Sequence, residues 1–224
     1  MTIYIATAID LPKWVIDAID KIRKGFLWRG RKEAKGGHCM VAWSKVCRPL
    51  QLGGLGIQSF QELSWALRMR WLWLKKTDPS RLWGDLPIHV PAKAKAFFSS
   101  VLVSEVGNGA RTLFWADKWI NGKKVADIAP RLFRLIPTRV VNRRNVQEAM
   151  LNSSWIGDIR GALSVGVLAD FLNLWDALSG VILQQDVEDR HIFTAAPNGA
   201  YSAKAAYNGL FIKKKKNVGL SAIL

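Results

Sequence analysis

The chain has 224 residues, half of them hydrophobic, so it is long enough to bury a core and is not disordered by composition. No apolar run reaches the ~20 residues that a membrane-spanning helix needs. The N-terminal segment lacks the features of a signal peptide, so none is expected. Cys39 and Cys47 are the only cysteines, which argues against a disulfide framework and indicates an intracellular, reducing setting.

The net charge of +16 and the 11 tryptophans are the unusual features of the composition. Residues 1–145 contain 26 Lys/Arg against 10 Asp/Glu, residues 146–200 contain 2 against 7, and residues 201–224 contain 5 against none. A basic region of this size attracts polyanions, most commonly nucleic acid. The alternative is a solvated basic surface with no dedicated partner. We expect residues 1–145, and not residues 146–200, to bind nucleic acid.

Apolar residues at helical spacing predict a first helix over about 12–28. Its expected core stripe is Leu11, Trp14, Val15, Ala18, Ile19, Ile22 and Phe26. The segment CMVAWSKVCRP that follows predicts a short strand ending at Pro49.

A second helix is predicted from Ser59, because the S-x-x-E spacing of Ser59 and Glu62 is typical of a capping box. Its expected core stripe is Phe60, Leu63, Leu67, Trp71 and Leu74. Its other face gathers Trp65, Arg68, Leu72, Lys75 and Lys76. Asp78-Pro79 ends this helix and is compatible with a short further helix through Leu86.

Two Asn-Gly pairs predict β-hairpins, because both residue types tolerate a positive φ. The first pair, Asn108-Gly109, lies between SVLVSEV and ARTLFWA, and the second is Asn198-Gly199. Residues 117–145 read as a basic loop region, and helices are predicted near 145–151, near 167–182 and from about Ser202. The chain is therefore expected to be a mainly α-helical α+β protein, with amphipathic helices and two short β-hairpins.

The glycine-rich stretch QLGGLGIQSF runs into a helix, as phosphate-binding loops do. Its spacing does not match them, because no G-x-x-x-x-G-K-[ST] run occurs and Ser59 stands where a dinucleotide fingerprint from Gly54 needs its third glycine. We interpret the stretch as a tight turn.

No pattern in the sequence indicates a catalytic or metal centre. His38, Cys39 and Cys47 lack the spacing and the fourth ligand of a structural zinc site. Acidic residues that could take part in two-metal chemistry are Glu105, Asp117, Asp186, Glu188 and Asp189. Nothing else converges on them: Asp117 equally suits a turn cap, and the cluster in QQDVEDR is typical of a solvated turn. We predict no catalytic residue, no metal ligand and no cofactor.

Several tryptophans lie among Lys and Arg, a composition typical of surfaces that stack bases and neutralise phosphates. Most of the eleven are nevertheless expected in the core, including Trp14, Trp71 and Trp175, whereas Trp28 and Trp65 are expected to be partly exposed. The candidate nucleic-acid contacts are Trp28, Arg29, Arg31, Lys32, Lys35, Trp65, Arg68, Lys75, Lys76, Lys123 and Lys124.

Five segments occur in an order that resembles one protein family: FLWRG, VAWSKVCRP with GGLGI, ALRMRWLWLKK, GNGARTLFWADKWINGKK and NGAYSAKAAYNGLF. They are similar to the C-terminal third of plant LINE-type (non-LTR) retrotransposon reverse transcriptases, over roughly residues 4–211. In that family the region follows the polymerase palm and thumb and precedes a Cys/His zinc-binding module. The resemblance implies association with RNA or DNA during target-primed reverse transcription.

The resemblance divides the chain into four segments. Residues 1–96 correspond to a basic, Trp-rich helical segment at the end of the thumb, and residues 97–145 to a β-hairpin with a basic loop. Residues 146–211 correspond to helices and a second hairpin leading toward the zinc module, and residues 212–224 to a basic tail outside the pattern. The family's Tyr-x-Asp-Asp motif and zinc ligands find no match here, so the resemblance carries over no catalytic residue and implies a truncated relic.

The sequence therefore predicts a non-catalytic fragment that binds RNA or DNA through the phosphate backbone, with no membrane and no small-molecule substrate. Two alternatives stay open: part of an active RNA-directed DNA polymerase or nuclease, and an expressed relic or interaction module with no selected function. The four consecutive lysines at 213–216 suit a nuclear signal or a frayed basic tail. The sequence indicates no oligomeric state.

Overall fold

The computed structural model describes residues 11–30, 41–78, 80 and 88–221, with side chains up to residue 212. The chain divides into two compact units. Unit 1 comprises Met1–Phe98 and Tyr201–Leu224, and unit 2 comprises Ser99–Ala200. The predicted break at residue 145 falls inside unit 2, and the predicted four-segment division stays a prediction.

Short and long helices dominate the described residues, together with one pair of strands. The α-helices are α1 (Lys13–Arg29), α2 (Trp43–Val46), α3 (Phe60–Thr77), α4 (Ala92–Val101), α5 (Val125–Ile128), α6 (Pro130–Phe133), α7 (Thr138–Val141), α8 (Val146–Met150), α9 (Val165–Ser179) and α10 (Ala203–Ser221). 3₁₀ helices occupy Leu50–Leu52 and Leu151–Asp158, and the strands are β1 (Leu102–Glu105) and β2 (Arg190–Phe193). The predicted mainly α-helical α+β class is confirmed.

The two predicted hairpins are wrong in their pairing. Strand β1 pairs antiparallel with β2, in a register that runs from Leu102 opposite Phe193 to Glu105 opposite Arg190. Neither Asn-Gly pair joins two strands: the first lies in a loop that follows β1, and after the second the chain forms α10. A tight turn allows a hairpin but does not require one, because strand pairing depends on packing across the sheet.

The predicted strand before Pro49 is also wrong, because the described part of that segment forms the short helix α2. The glycine-rich stretch is a tight turn, as predicted. The N–H of Leu55 donates to the carbonyl of Val46, and the N–H of Gly56 donates to that of Arg48. A Cβ at Gly54 would lie 2.0 Å from the Arg48 carbonyl oxygen, so only glycine fits there.

In unit 1, α3 packs against α10, and two tyrosine hydroxyls, one on α10 and one just before it, bond to α3 and to residues that precede α3. Tyr201 donates to the Ala66 carbonyl. The Tyr207 hydroxyl accepts the N–H of Ser59 at 2.9 Å and donates to the Cys47 carbonyl at 3.2 Å. The start of α3 at Ser59 is confirmed. The predicted capping box is not formed, because the Ser59 hydroxyl donates to the Glu62 carboxylate and the Ser59 N–H donates to the Tyr207 hydroxyl.

The predicted core stripe of α1 is largely exposed in the described structure. The side chains of Trp14 and Phe26 are 73% and 74% exposed. Helix α1 instead contacts the rest of unit 1 through Arg23, whose guanidinium lies 4.5 Å from the Phe60 ring centroid and donates to the Gln58 carbonyl at 2.6 Å. The Arg23 guanidinium, stacked on a ring and hydrogen-bonded, therefore attaches α1 to its neighbours, a role that the sequence pattern assigned to apolar contacts.

Unit 2 has an aromatic core, and part of it comes from residues that the sequence assigned to a loop. Its buried residues include Phe114, Trp115, Trp119, Val125 and Leu132. Residues 117–145 therefore contain three short helices (α5, α6 and α7) and contribute to the core, so the prediction of a basic loop region is wrong. Among the described tryptophans, Trp115, Trp119 and Trp155 are the buried ones, so the expectation that most would be core is wrong as well.

Candidate nucleic-acid interface

The first group of predicted contacts lies at the end of α1. Trp28 is half-buried, as expected, and Arg29 is exposed. Arg31, Lys32 and Lys35 lie outside the described residues, so they stay a prediction. The left-handed Gly30 ends the helix directly before them, where its N–H donates to the Phe26 carbonyl.

The second group lies on α3, and Arg68 has to be removed from it. Its side chain is fully buried, with one guanidinium nitrogen 2.8 Å from the His89 carbonyl oxygen and Nε 3.4 Å from that of Ser64. A phosphate cannot reach this group. Lys75 is exposed, and Trp65 and Lys76 are half-buried.

The reason for the error is that α3 is buried on more than one side. Glu62, Ala66 and Met69 form one buried row, and Ser64 with Arg68 forms another. The predicted stripe of Phe60, Leu63, Leu67, Trp71 and Leu74 is only half-buried. A single apolar stripe describes a helix with one buried face, which α3 is not.

The third group is Lys123 and Lys124 in unit 2. Lys123 is exposed. The ammonium group of Lys124 lies 2.8 Å from the Ser99 hydroxyl oxygen, and its backbone N–H donates to the Asp127 carboxylate at 3.0 Å. Lys123 is therefore the freer candidate of the two for a phosphate contact.

The carboxylates singled out in the sequence have separate structural partners. Asp117 accepts the N–H of Leu113 at 2.8 Å, which confirms the turn-cap interpretation. Glu105 lies 3.9 Å from Arg190 across the strand pair. Glu188 forms an ion pair with Arg111 at 3.0 Å. Asp186 is exposed on the surface.

The prediction that Asp189 belongs to a solvated turn is wrong. Its side chain is buried and accepts hydrogen bonds. Its carboxylate accepts the N–H groups of Gly107, Gly109 and Arg111 at 2.8–2.9 Å. Burial opposes its ionisation, but these N–H donors hold the pKa of Asp189 below its ordinary value. The carboxylate thereby organises the Asn-Gly loop.

The described residues contain no group of three or more His, Cys, Asp and Glu side chains that could hold a metal ion. Cys47 is buried, and this burial raises the pKa of its thiol to about 11, so it is protonated at neutral pH. His38 and Cys39 lie outside the described residues.

Several exposed arginines are missing from the predicted contacts, among them Arg70, Arg139 and Arg143. Arg70 lies on α3 two positions after the buried Arg68, and Arg139 and Arg143 lie on and just after α7. Their signal was present only as positive charge, because the local pattern does not show which arginines face solvent. None of the described helices combines the length and apolarity that a membrane crossing requires.

The chain is 26% identical to a protein of Arabidopsis thaliana that is provisionally named a ribonuclease H protein. The match covers 57% of this chain and 24% of that relative, so the chain spans about a quarter of the relative's length. No protein-family model and no solved structure matches the chain.

Proposed function

We propose that this chain is a non-catalytic part of a retrotransposon-related protein and binds RNA or DNA through the phosphate backbone. The name of the Arabidopsis relative supports an association with nucleic acid. The ordered series of five motifs supports a LINE-type reverse transcriptase as the parent protein, with this chain as the region between thumb and zinc module.

The observation that carries the proposal is the unequal burial of the two signs of charge. Among the described side chains, the buried ionic groups are one guanidinium, Arg68, and five carboxylates: Glu62, Asp117, Asp158, Asp170 and Asp189. The other described lysines and arginines are exposed or half-buried. The accessible surface is therefore more basic than the net charge of +16 suggests, and such a surface favours a polyanion.

The rival function is hydrolysis of nucleic acid, which the name of the relative favours. Two-metal hydrolysis needs carboxylates that converge on a common point. Within the described residues, the buried aspartates are instead bound to backbone N–H groups or to arginine. We therefore assign any such activity to other parts of a longer protein.

The test is a fluorescence anisotropy titration of the full chain with a single strand and a duplex of equal length, over a series of salt concentrations. Phosphate contacts release counterions, so the logarithm of the binding constant should fall by about 0.9 per contact on duplex and about 0.7 on single strand for each logarithmic unit of salt. The double change Arg70→Gln and Lys75→Gln should flatten the duplex slope by about 1.8.

Lys93→Gln with Lys95→Gln is the matched control, because both lysines are exposed on α4 and neither is a predicted contact. A wild-type chain that binds neither probe overturns the proposed function. An equal loss of slope in both double variants overturns the assignment to α3.

A further inference from the structure

A cavity of about 310 Å³ lies in unit 2, beside α7 and α8. It is lined by Arg139, Val140, Arg143, Arg144 and Glu148. Three guanidinium groups therefore face one space with a single carboxylate. Its volume is at the lower end of the range for small-ligand sites, which suits a group the size of a phosphate better than a large organic molecule.

One of the three arginines is fixed by the protein itself. Arg144 donates to Asp158 through Nη2 at 2.6 Å and through Nε at 3.1 Å, and Glu148 lies 3.9 Å from it. The hydrogen bond that Arg144 donates to Asp158 raises the pKa of Arg144. Asp158 is buried and also accepts the indole N–H of Trp115, so Arg144 is anchored to the aromatic core.

The other two arginines are not neutralised in this way. Arg139 and Arg143 are exposed, and within the described residues neither has a carboxylate at ion-pair distance. They are four positions apart on a helical turn that continues past α7, where the N–H of Arg143 donates to the Val140 carbonyl. Like charges at this spacing repel each other, and a bound anion removes that repulsion.

We infer that this cavity binds a phosphate group, and that its source is the backbone of RNA or DNA, so the inference rests on the proposed function. Arg139 and Arg143 supply the donors, because a guanidinium offers two parallel N–H groups to a phosphate. Arg144 adds positive charge from a fixed position. Glu148 faces the same space and weakens the binding of an anion.

The test uses the full chain and the same salt series of titrations. Arg139→Gln with Arg143→Gln should flatten the salt slope by about 1.8 on duplex and about 1.4 on single strand. Arg111→Gln with Arg190→Gln is the matched control, since it removes the same charge from unit 2 at arginines already paired with Glu188 and Glu105. This control should change the slope by less than half as much.

A change of opposite sign tests the cavity independently of lost charge. Glu148→Gln should tighten binding several-fold, because it removes the carboxylate that faces the phosphate. Asp176→Asn removes an exposed carboxylate on α9, outside the cavity lining, and should leave affinity within twofold of the wild type. Equal tightening by both variants would overturn the inference.

Inorganic tripolyphosphate provides the second source of the same chemistry. If the Arg139/Arg143 double variant loses tripolyphosphate binding but keeps its oligonucleotide slope, the site serves free phosphates and the nucleic-acid source is wrong. If the Arg139/Arg143 variant and the Arg111/Arg190 control lose the same amount of salt slope while the wild type binds nucleic acid, the proposed site is wrong and the proposed function stands.

Discussion

The charge of the surface depends on single residues, and in unit 2 four aspartates are buried: Asp117, Asp158, Asp170 and Asp189. Each is buried and accepts hydrogen bonds from within unit 2, and Asp170 accepts the N–H groups of Arg131 and Leu132 at the start of α6. A buried carboxylate needs such donors because desolvation is costly. Their negative charge is therefore directed at the protein interior and not at a ligand.

Asp189→Asn should lower the free energy of unfolding by about 1–3 kcal/mol at neutral pH, because the amide nitrogen cannot accept the N–H of Arg111. The pKa of Asp189 is lowered by folding, so its stabilisation is fully present above the unfolded pKa of about 3.9 and is lost as pH falls through the lower folded value. Urea unfolding at neutral and acidic pH should show the difference between variant and wild type shrinking in acid. The control is Asp186→Asn, an exposed neighbour, and an equal effect there would contradict the prediction.

Arg68 and Arg70 are a second comparison at this scale. Arg68→Ala should cost about 2–4 kcal/mol of stability, because it leaves a cavity and removes the guanidinium that donates to the His89 carbonyl. Arg70→Ala should cost less than about 0.5 kcal/mol, because its side chain is exposed. Denaturant unfolding measures both, and the reverse order would refute the burial of Arg68. Binding by folded protein should depend on Arg70 and not on Arg68.

At the scale of elements, the strand pair β1–β2 depends on the loop that follows β1. The Asp189 carboxylate, one residue before β2, holds the N–H groups of Gly107 and Gly109, and the N–H of Asn108 donates to the Val187 carbonyl at 2.7 Å. The Asn-Gly loop therefore holds two segments together that are distant in the chain, and it is not a hairpin turn.

Gly109→Ala should destabilise the protein by about 1–3 kcal/mol, because a side chain at a positive φ is strained. At this position φ is +78°, and a Cβ would lie 2.6 Å from the Gln147 backbone nitrogen. Gly180→Ala, where a Cβ meets nothing within 4 Å, is the matched control and should be nearly neutral. Thermal unfolding of the two variants measures the difference in stability. Equal melting temperatures would show that the loop does not hold the two strands together.

At the scale of the whole molecule, basic side chains lie on the surface of both units, whereas four of the ten acidic side chains of unit 2 are buried. Residues 146–200 contain 7 acidic residues, and three of them, Asp158, Asp170 and Asp189, are buried. The predicted separation of a binding segment from a non-binding one at residue 145 does not follow the compact units, because Ser99–Ala200 forms one of them. Binding is better tested by variants of the full chain than by fragments cut at that residue.

We expect the purified chain to show no polymerase or nuclease activity with Mg²⁺ or Mn²⁺, because its described carboxylates do not converge. Primer extension and plasmid nicking are the measurements. Activity that persists through purification and falls on Asp117→Asn, but not on the exposed Asp176→Asn, would contradict the non-catalytic assignment.

The sequence by itself determined the fold class, the starts of α8 and α10, and the bounds of α1, α3 and α9 to within a few residues. These features depend on local causes: apolar spacing, Gly30 at the end of α1, and Asn145, whose side chain accepts the N–H of Glu148. It also determined that the glycine-rich stretch is a turn, because the spacing of its glycines matches no phosphate-binding loop.

Only the tertiary structure decided which strands pair, which arginine is buried and where the cationic cavity lies. The paired residues of β1 and β2 are 85–91 positions apart in the chain. At this separation local propensity carries no information about which strands pair. Arg68 and Arg70 are alike in sequence and differ only in what packs against α3. Whether a charge points to solvent or to the core depends on neighbours that the fold brings together, and that is why the candidate site needed the structure.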